Sequence, residues 1–290
     1  MKVLVSGAAG FLGTHVMRAL DAAGHETSGI DVRATSRIFG GNITKPLTSP
    51  VFRQPLDAVI HLAALANPRE CDADPTKAYD VNVNGTSQVL QMALASGAKK
   101  VIFSSSAHVY GISPRWQPTN ESHPLYLQNT YTTTKILGEQ LCQLYFENYG
   151  LSYTTLRLYN AYGPDQAPGY FIPDMIAKAK LGDFRLKDAG TTKDFVWVDD
   201  VAQAFVAALD TNFVGPVNIG TGVETPLHKA AAYIAEAHGA HVIFEDDPAR
   251  DTRMCADYAR ASKVLQWHPK TSVTEGLDAI IAGKTQPISP

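Results

Sequence analysis

Three glycines spaced G-x-x-G-x-x-G open this chain: Gly7, Gly10 and Gly13 follow the apolar run Val3-Leu4-Val5 and lead into a stretch with helical periodicity. A strand that hands over to a helix through such a turn constrains the fold more than any other feature. Small residues let the backbone turn sharply and bring its N–H groups together at a helix N-terminus, which suits a pyrophosphate. Residues 2–6 read as a strand, 12–23 as a helix closed by Gly24, and 25–31 as a strand again, which makes one βαβ unit. Asp31 closes that second strand. A carboxylate there accepts both ribose hydroxyls of NAD and repels the 2′-phosphate of NADP. Arg33 and Arg37 follow closely and would attract that phosphate, but the acid tips the balance to NAD.

The rhythm continues with strands over 58–63, 100–105 and 153–158 and helices over 76–96 and 130–149. Strands alternating with helices imply a parallel sheet covered on both faces. The fold class is therefore α/β: a doubly wound, Rossmann-type parallel sheet with a smaller interleaved α/β lobe for the substrate. After Asn160 the alternation breaks at Gly163-Pro164 and Pro168-Gly169. A helix follows over 173–181, a strand over 195–198, a helix ending at residue 209, a strand over 217–220, and helices over 227–238 and 259–265. Residues 1–160 with about 194–221 are expected to form the NAD-binding unit, and about 161–193 with 222–290 the substrate lobe.

Charge and composition exclude several classes of function. The net charge is −3 and no basic stripe appears, so no nucleic acid is expected as a partner. No apolar run approaches ~18 residues and the first strand begins at Lys2, so no membrane partner and no signal peptide are expected, and the expected location is the cytoplasm. Cys71, Cys142 and Cys255 are odd in number and far apart, which argues against a disulfide framework or a zinc site and fits reduced thiols; no metal is expected.

The chemistry centres on Tyr131 and Lys135 in Tyr-Thr-Thr-Thr-Lys. Four residues apart on a helix, phenol and ammonium share a face, so the cation is expected to lower the tyrosine's pKa toward useful acid/base chemistry. Ser106 ends the strand before that helix, on the edge where doubly wound sheets bind ligands, and its hydroxyl can bond the reacting oxygen.

These residues, with His61-Leu62-Ala63-Ala64, Asn82-Val83-Asn84-Gly85-Thr86, Ser104 to Gly111 and Arg157-Leu158-Tyr159-Asn160, resemble the extended short-chain dehydrogenase/reductase family. The similarity is to its NAD-dependent sugar-nucleotide epimerase/dehydratase branch, including UDP-galactose 4-epimerase-like enzymes. It runs on through Lys193 to Val201, Asn218 to Gly222, and Asp257 to Pro269. The resemblance implies a tightly held NAD that takes a hydride from C4 of a nucleotide-sugar and usually returns it. Tyr131 would be the base, Lys135 would bind the nicotinamide ribose and tune the tyrosine, and Ser106 would orient the hydroxyl. Phe11, Leu12, Asn42, Ile43, Leu62, Ala63, Ala64, Asn82 and Tyr159 would line the cofactor with the glycines, Asp31 and Arg33. Helices 76–96 and 130–149 would form the contact of a homodimer.

The substrate half departs from the pattern. Asn160 matches an asparagine that contacts phosphates, whereas Tyr170, beside Phe171, stands where UDP-sugar epimerases carry asparagine. Lys193 replaces a pyrophosphate-binding arginine, keeping the charge but losing the bidentate fork. Arg250, in a shortened segment, is the candidate for a second phosphate ligand. His108 stands where 4,6-dehydratases carry an acid, which disfavours that elimination; it is either a second acid/base or part of the pocket wall. His61 reads as structural. Three functions stay open: a C4 epimerase working through a transient 4-keto intermediate, a net NAD(P)-dependent reductase or dehydrogenase of a ketosugar or other small alcohol, and a catalytically inactive NAD-binding sensor.

Overall fold

A computed structural model describes residues 1–47, 54–187, 190–245 and 252–283. The N-terminal βαβ unit is β1 (Lys2–Ser6), α1 (Phe11–Ala22) and β2 (Glu26–Asp31), followed by the short β3 (Ile38–Gly40) and by β4 (Ala58–His61). Next come α2 (Pro68–Ala73), α3 (Pro75–Tyr79), a π-helical turn over Asp80–Asn84, α4 (Gly85–Ala95) and β5 (Lys100–Ser106). A 3₁₀ turn (Ala107–Tyr110) precedes α5 (Thr130–Tyr149), β6 (Ser152–Leu158), β7 (Asn160–Tyr162), α6 (Phe171–Leu181), β8 (Phe184–Lys187), β9 (Thr192–Lys193) and β10 (Phe195–Trp197). The chain continues through α7 (Val198–Asp210), β11 (Gly215–Ile219), β12 (Thr225–Pro226), α8 (Leu227–Ala237), β13 (Val242–Glu245), α9 (Ala259–Leu265) and α10 (Val273–Ile281).

Seven strands form one parallel sheet in the order β11-β6-β5-β4-β1-β2-β3. Its two faces are visible in the first strand. Val3 and Val5 point to one side, joining Val16 and Leu20 of α1 and Val201 and Phe205 of α7. Leu4 points to the other, with Val89 and Leu90 of α4 and Cys142 and Tyr145 of α5. A two-residue period buried on both sides is what a central parallel strand requires. A separate apolar cluster unites Tyr162, Ile172, Met175, Phe184, Trp197, Ile234 and Leu277, built around α6, α8 and α10 with the small parallel pair of β8 and β13.

Differences from the sequence reading have local causes. The helix expected over 76–96 is α3 and α4 joined by the π turn, where the Gly85 N–H reaches back five residues to the Asp80 carbonyl. The strand expected over 58–63 stops at His61: the Leu62 N–H still reaches the Ser6 carbonyl (3.1 Å), but the Ser6 hydroxyl also draws the N–H groups of Leu62 and Ala63 (3.2 and 3.3 Å) and the chain turns away there. The reading missed α2 and α10 and the short strands β3, β7, β8, β9, β12 and β13. All three cysteines are buried and free. Among the described residues no helix is long and apolar enough to cross a membrane.

Candidate active site

The glycine turn lies at the C-terminal edge of the sheet. Gly7 N–H donates to the Ile30 carbonyl (2.8 Å) and Gly10 N–H to that of Gly7 (3.0 Å), which folds the chain back before α1 starts at Phe11. A Cβ on Gly13 would sit 2.1 Å from the Gly7 oxygen, so only glycine lets the helix start this close to the turn. No side chain caps α1, and no acid sits in its first turn, which includes Leu12. Asp31 Oδ2 accepts the Ala9 N–H (3.1 Å) and Oδ1 the Arg33 N–H (3.0 Å), fixing the carboxylate at the end of β2. An uncapped helix start next to a positioned acid fits a dinucleotide: amides for the diphosphate, carboxylate for the ribose.

Of the two cations expected near a 2′-phosphate, Arg37 is committed elsewhere. Its guanidinium grips Asp21 through both terminal nitrogens (2.8 and 2.9 Å), so this arginine is an ion-pair partner and not a free phosphate ligand. Arg33 stays beside Asp31 (3.8 Å), with its Nη2 on the Ala9 carbonyl.

Other residues expected at the cofactor divide by what their side chains already do. Ile43 is buried against Gly85, and Asn42 accepts the Thr44 N–H (3.0 Å) in a local turn. Leu62 and Ala63 lead out of β4 into Ala64 and Leu65. Asn82 fastens that segment. Its Oδ1 accepts the Leu65 N–H (2.7 Å), and its Nδ2 donates to the Leu65 carbonyl (3.0 Å) and to Thr134 Oγ1 (2.9 Å). With both amide protons used, Asn82 holds the segment ending at Leu65. The Tyr159 ring is buried with Ala107, Met254 and Ala256, and its hydroxyl points at the Thr119 carbonyl. His61 bonds Ser6 Oγ (2.6 Å) and Thr86 Oγ1 (2.9 Å), and burial pushes its pKa down to about 3, the behaviour of a neutral structural histidine.

Ser106, Tyr131 and Lys135 converge where β5 ends against α5. The approach depends on Gly138, since a Cβ there would fall 2.4 Å from the Phe103 ring. Lys135 Nζ donates to the Ser104 carbonyl (2.8 Å) and lies 5.2 Å from the Phe103 centroid and 5.8 Å from that of Tyr131. Burial lowers the Lys135 pKa to about 8. The expected lowering of the tyrosine is not found. Burial pushes the Tyr131 phenol up, the Ser106 hydroxyl pulls the other way, and the ammonium is held on the Ser104 carbonyl. Desolvation of the phenolate outweighs its neighbours.

His108 completes this corner. Ser106 Oγ lies 3.0 Å from His108 Nδ1 and accepts the His108 N–H (3.2 Å), and the imidazole stands edge-on to the Tyr131 ring at 6.4 Å. Burial lowers its pKa to about 4, with the Lys193 charge acting in the same direction. Lys193 itself is lowered by burial and has its Nζ 4.0 Å from Met254 Sδ. Asn160 bonds the Asp194 carbonyl through backbone (2.9 Å) and side chain (3.2 Å). Tyr170 is exposed at the start of α6, and Phe171 stacks on Phe195 at 5.9 Å. Arg250 lies outside the described residues.

Sequence reasoning missed a cavity of about 570 Å³ lined by Phe171, Leu186 and Leu227 together with Arg69, Lys178, Arg185, Lys187 and Glu245, the last paired with Arg185 (2.7 Å). The available signal was the alternation Phe184-Arg185-Leu186-Lys187, which buries the apolar residues and leaves both cations on the opposite face.

Comparison with known proteins agrees with this geometry. A UDP-glucose 4-epimerase of Mycolicibacterium smegmatis is 32% identical over 302 residues, covering 96% of each chain. UDP-glucuronic acid decarboxylase 3 of Arabidopsis thaliana is 29% identical over 303 residues, covering 96% of this chain and 87% of that relative. The solved structure of the Thermotoga maritima UDP-glucose 4-epimerase with UDP-glucose matches with a TM-score of 0.89 and 27% identity, covering 97% of this chain and 98% of that one. Residues 3–220, which hold the glycine turn, Asp31, Ser106, Tyr131 and Lys135, match the sequence profile of the NAD dependent epimerase/dehydratase family, and the chain belongs to that family.

Proposed function

We propose that this protein is a nucleotide-sugar C4 epimerase that works through a transient 4-keto sugar. The observation that carries the reading is the convergence of Ser106, Tyr131 and Lys135 at the end of β5, beside the glycine turn and the 62–65 segment. The glycine turn, Asp31, Leu62 to Ala64 and Lys135 would hold NAD. NAD held there would supply the hydride acceptor. Tyr131 would act as its phenolate, taking the proton of the sugar 4-hydroxyl as C4 is oxidised and returning it when the opposite face is reduced; because burial raises the phenol's pKa, the positive charge that a bound nicotinamide would bring is needed to ionise it. Ser106 holds the same sugar oxygen and favours the phenolate, and Lys135 would bind the nicotinamide ribose.

The cavity beside Phe171, whose four cations outnumber Glu245, would take the nucleotide diphosphate, with Lys193 and Asn160 as further phosphate ligands. The lobe built from about 161–193 and 222–290 then acts as the substrate half. The reading also makes the protein a homodimer through α4 and α5, where α5 leaves Leu137, Leu144, Phe146 and Tyr149 exposed. Sedimentation of the purified protein as a monomer at micromolar concentration would remove that part of the proposal.

The test is a panel of UDP-, dTDP-, GDP- and CDP-sugars incubated with and without added NAD or NADH, with products identified by mass and NMR. An epimer of unchanged mass formed without added cofactor is the expected result. No conversion of any sugar by protein that still carries NAD would refute the reading. Kinship to the Arabidopsis enzyme supports a second reading, decarboxylation of a nucleotide-linked uronic acid, which UDP-glucuronic acid in the same panel reports as loss of CO₂. For the cofactor, Asp31→Ala is expected to lower the preference for NAD over NADP by ~10-fold or more, the worth of one charged hydrogen bond. Titration of both cofactors measures it, and an unchanged ratio would mean that the acid does not face the ribose.

A further inference from the structure

Ser106 has an unusual set of partners for a residue in its place. A hydroxyl has one proton to give and two lone pairs with which to accept. One lone pair of Ser106 Oγ is taken by the backbone N–H of His108 (3.2 Å). The side chain of the same residue brings Nδ1 to 3.0 Å, and here direction matters. If Nδ1 carries the imidazole proton, the second lone pair is taken too, and the serine proton can only point outward. If Nε2 carries it, Ser106 must spend its proton on Nδ1 and meets a ligand as an acceptor.

We propose that His108 is a positioning residue, held as the Nδ1–H tautomer, which makes Ser106 an obligate donor to the reacting oxygen beside Tyr131. The proposal rests on the epimerase reading for what the donor does, though not for which nitrogen carries the proton. One further observation agrees: burial and the Lys193 charge both oppose a charge on the imidazole, so the ring is neutral and only one of its nitrogens carries a proton. The 3₁₀ turn over Ala107–Tyr110 makes the arrangement possible, because it lets one residue supply both donors to the Ser106 oxygen. A carbinol oxygen that becomes a carbonyl oxygen needs a donor throughout, and a serine that could accept would weaken its grip on the ketone.

Two experiments on the NAD-loaded protein test this. Histidine-selective ¹⁵N labelling, with the His108 signals identified by their loss in His108→Asn, is expected to show protonated Nδ1 and bare Nε2 at neutral pH. The opposite tautomer would overturn the proposal and leave the epimerase reading standing. Substitutions supply the second arm. His108→Asn places an N–H near the Nδ1 position, whereas His108→Asp places an acceptor of the same shape there. His108→Asn should keep kcat within several-fold, while His108→Asp should lose ~10²-fold in kcat with little change in KM, as for removal of one oxyanion donor. Equal kcat for the two variants would overturn the proposal. Should His108→Asp fail to fold, His108→Ala replaces it, with an expected loss of ~10-fold relative to His108→Asn. Failure of the whole sugar panel would count against the proposed reaction, and the tautomer measurement would still decide the His108 assignment by itself.

Discussion

Tyr131→Phe is expected to lose at least ~10²-fold in turnover while the protein stays folded and keeps its NAD. The substitution removes one oxygen and leaves the ring, which fills the space against Cys71, Ala78 and Leu65. The lost hydroxyl is worth roughly 1 kcal/mol or less of stability, so the thermal midpoint should barely move. The chemistry has no substitute for it. Lys135 is turned to the Ser104 carbonyl, and His108 is held neutral on Ser106, so neither is placed to take the 4-hydroxyl proton. Initial rates on whichever sugar the panel identifies, with NAD content measured on the denatured protein, check both halves. Turnover equal to the parent protein would remove the tyrosine from the mechanism.

The second large effect is on stability. Glu139 lies four residues beyond Lys135 on α5 and is buried against Arg157 of β6: Oε1 accepts Arg157 Nε (3.0 Å) and Oε2 accepts Nη2 (2.6 Å). Ser105 Oγ donates to the same Oε1 (2.6 Å), and Arg157 Nη1 donates to the Tyr110 hydroxyl (2.9 Å), which in turn donates to Asn218 Oδ1 (2.7 Å). Side-chain exposures of 5% and 7% leave water little part in holding these charges. Glu139→Leu strands the guanidinium, at a cost of about 3–5 kcal/mol and a fall in thermal midpoint on the order of 10 °C. Adding Arg157→Met should recover part of the loss, because an apolar pair costs less than a lone buried charge. Thermal melts of the two singles and the double check the cycle. A double variant as unstable as the sum of the singles would mean that the pair does not act as a unit. The pair also ties α5 to the strand that neighbours Ser106, so turnover should fall along with stability.

What the sequence disclosed follows how local each signal is. The two-residue alternation of Val3-Leu4-Val5 and the glycine turn announced the sheet, and the spacing of Tyr131 and Lys135 with the strand end at Ser106 announced the site. Helix α10 was legible and overlooked: Ser272 and Glu275 form a reciprocal capping box at its start. Helix α2, over Pro68–Ala73, is too short for an apolar period to show. The directions of Asn82 and Tyr159 were not legible, because each is settled by distant chain, Leu65 and Thr134 for one and Thr119 with Met254 for the other. Burial explains the tyrosine's missing pKa depression in the same way, since a four-residue spacing says nothing about how much water reaches the pair. The cations of the large cavity come from α2, α6 and β8, and only the folded chain brings them to one place.

The π turn over Asp80–Asn84 sets a strict length on its segment. An α-helix advances about 100° per residue, so one residue too many in a turn rotates everything beyond it by that angle. In this chain the rotation lets a single rod serve two clients, holding Asn82 toward Leu65 while Val89, Leu90 and Ala93 meet the sheet. Deleting one residue there would restore an ordinary helix and swing one of those two faces out of position. A one-residue insertion or deletion in this segment would therefore cost the alignment of one face or the other.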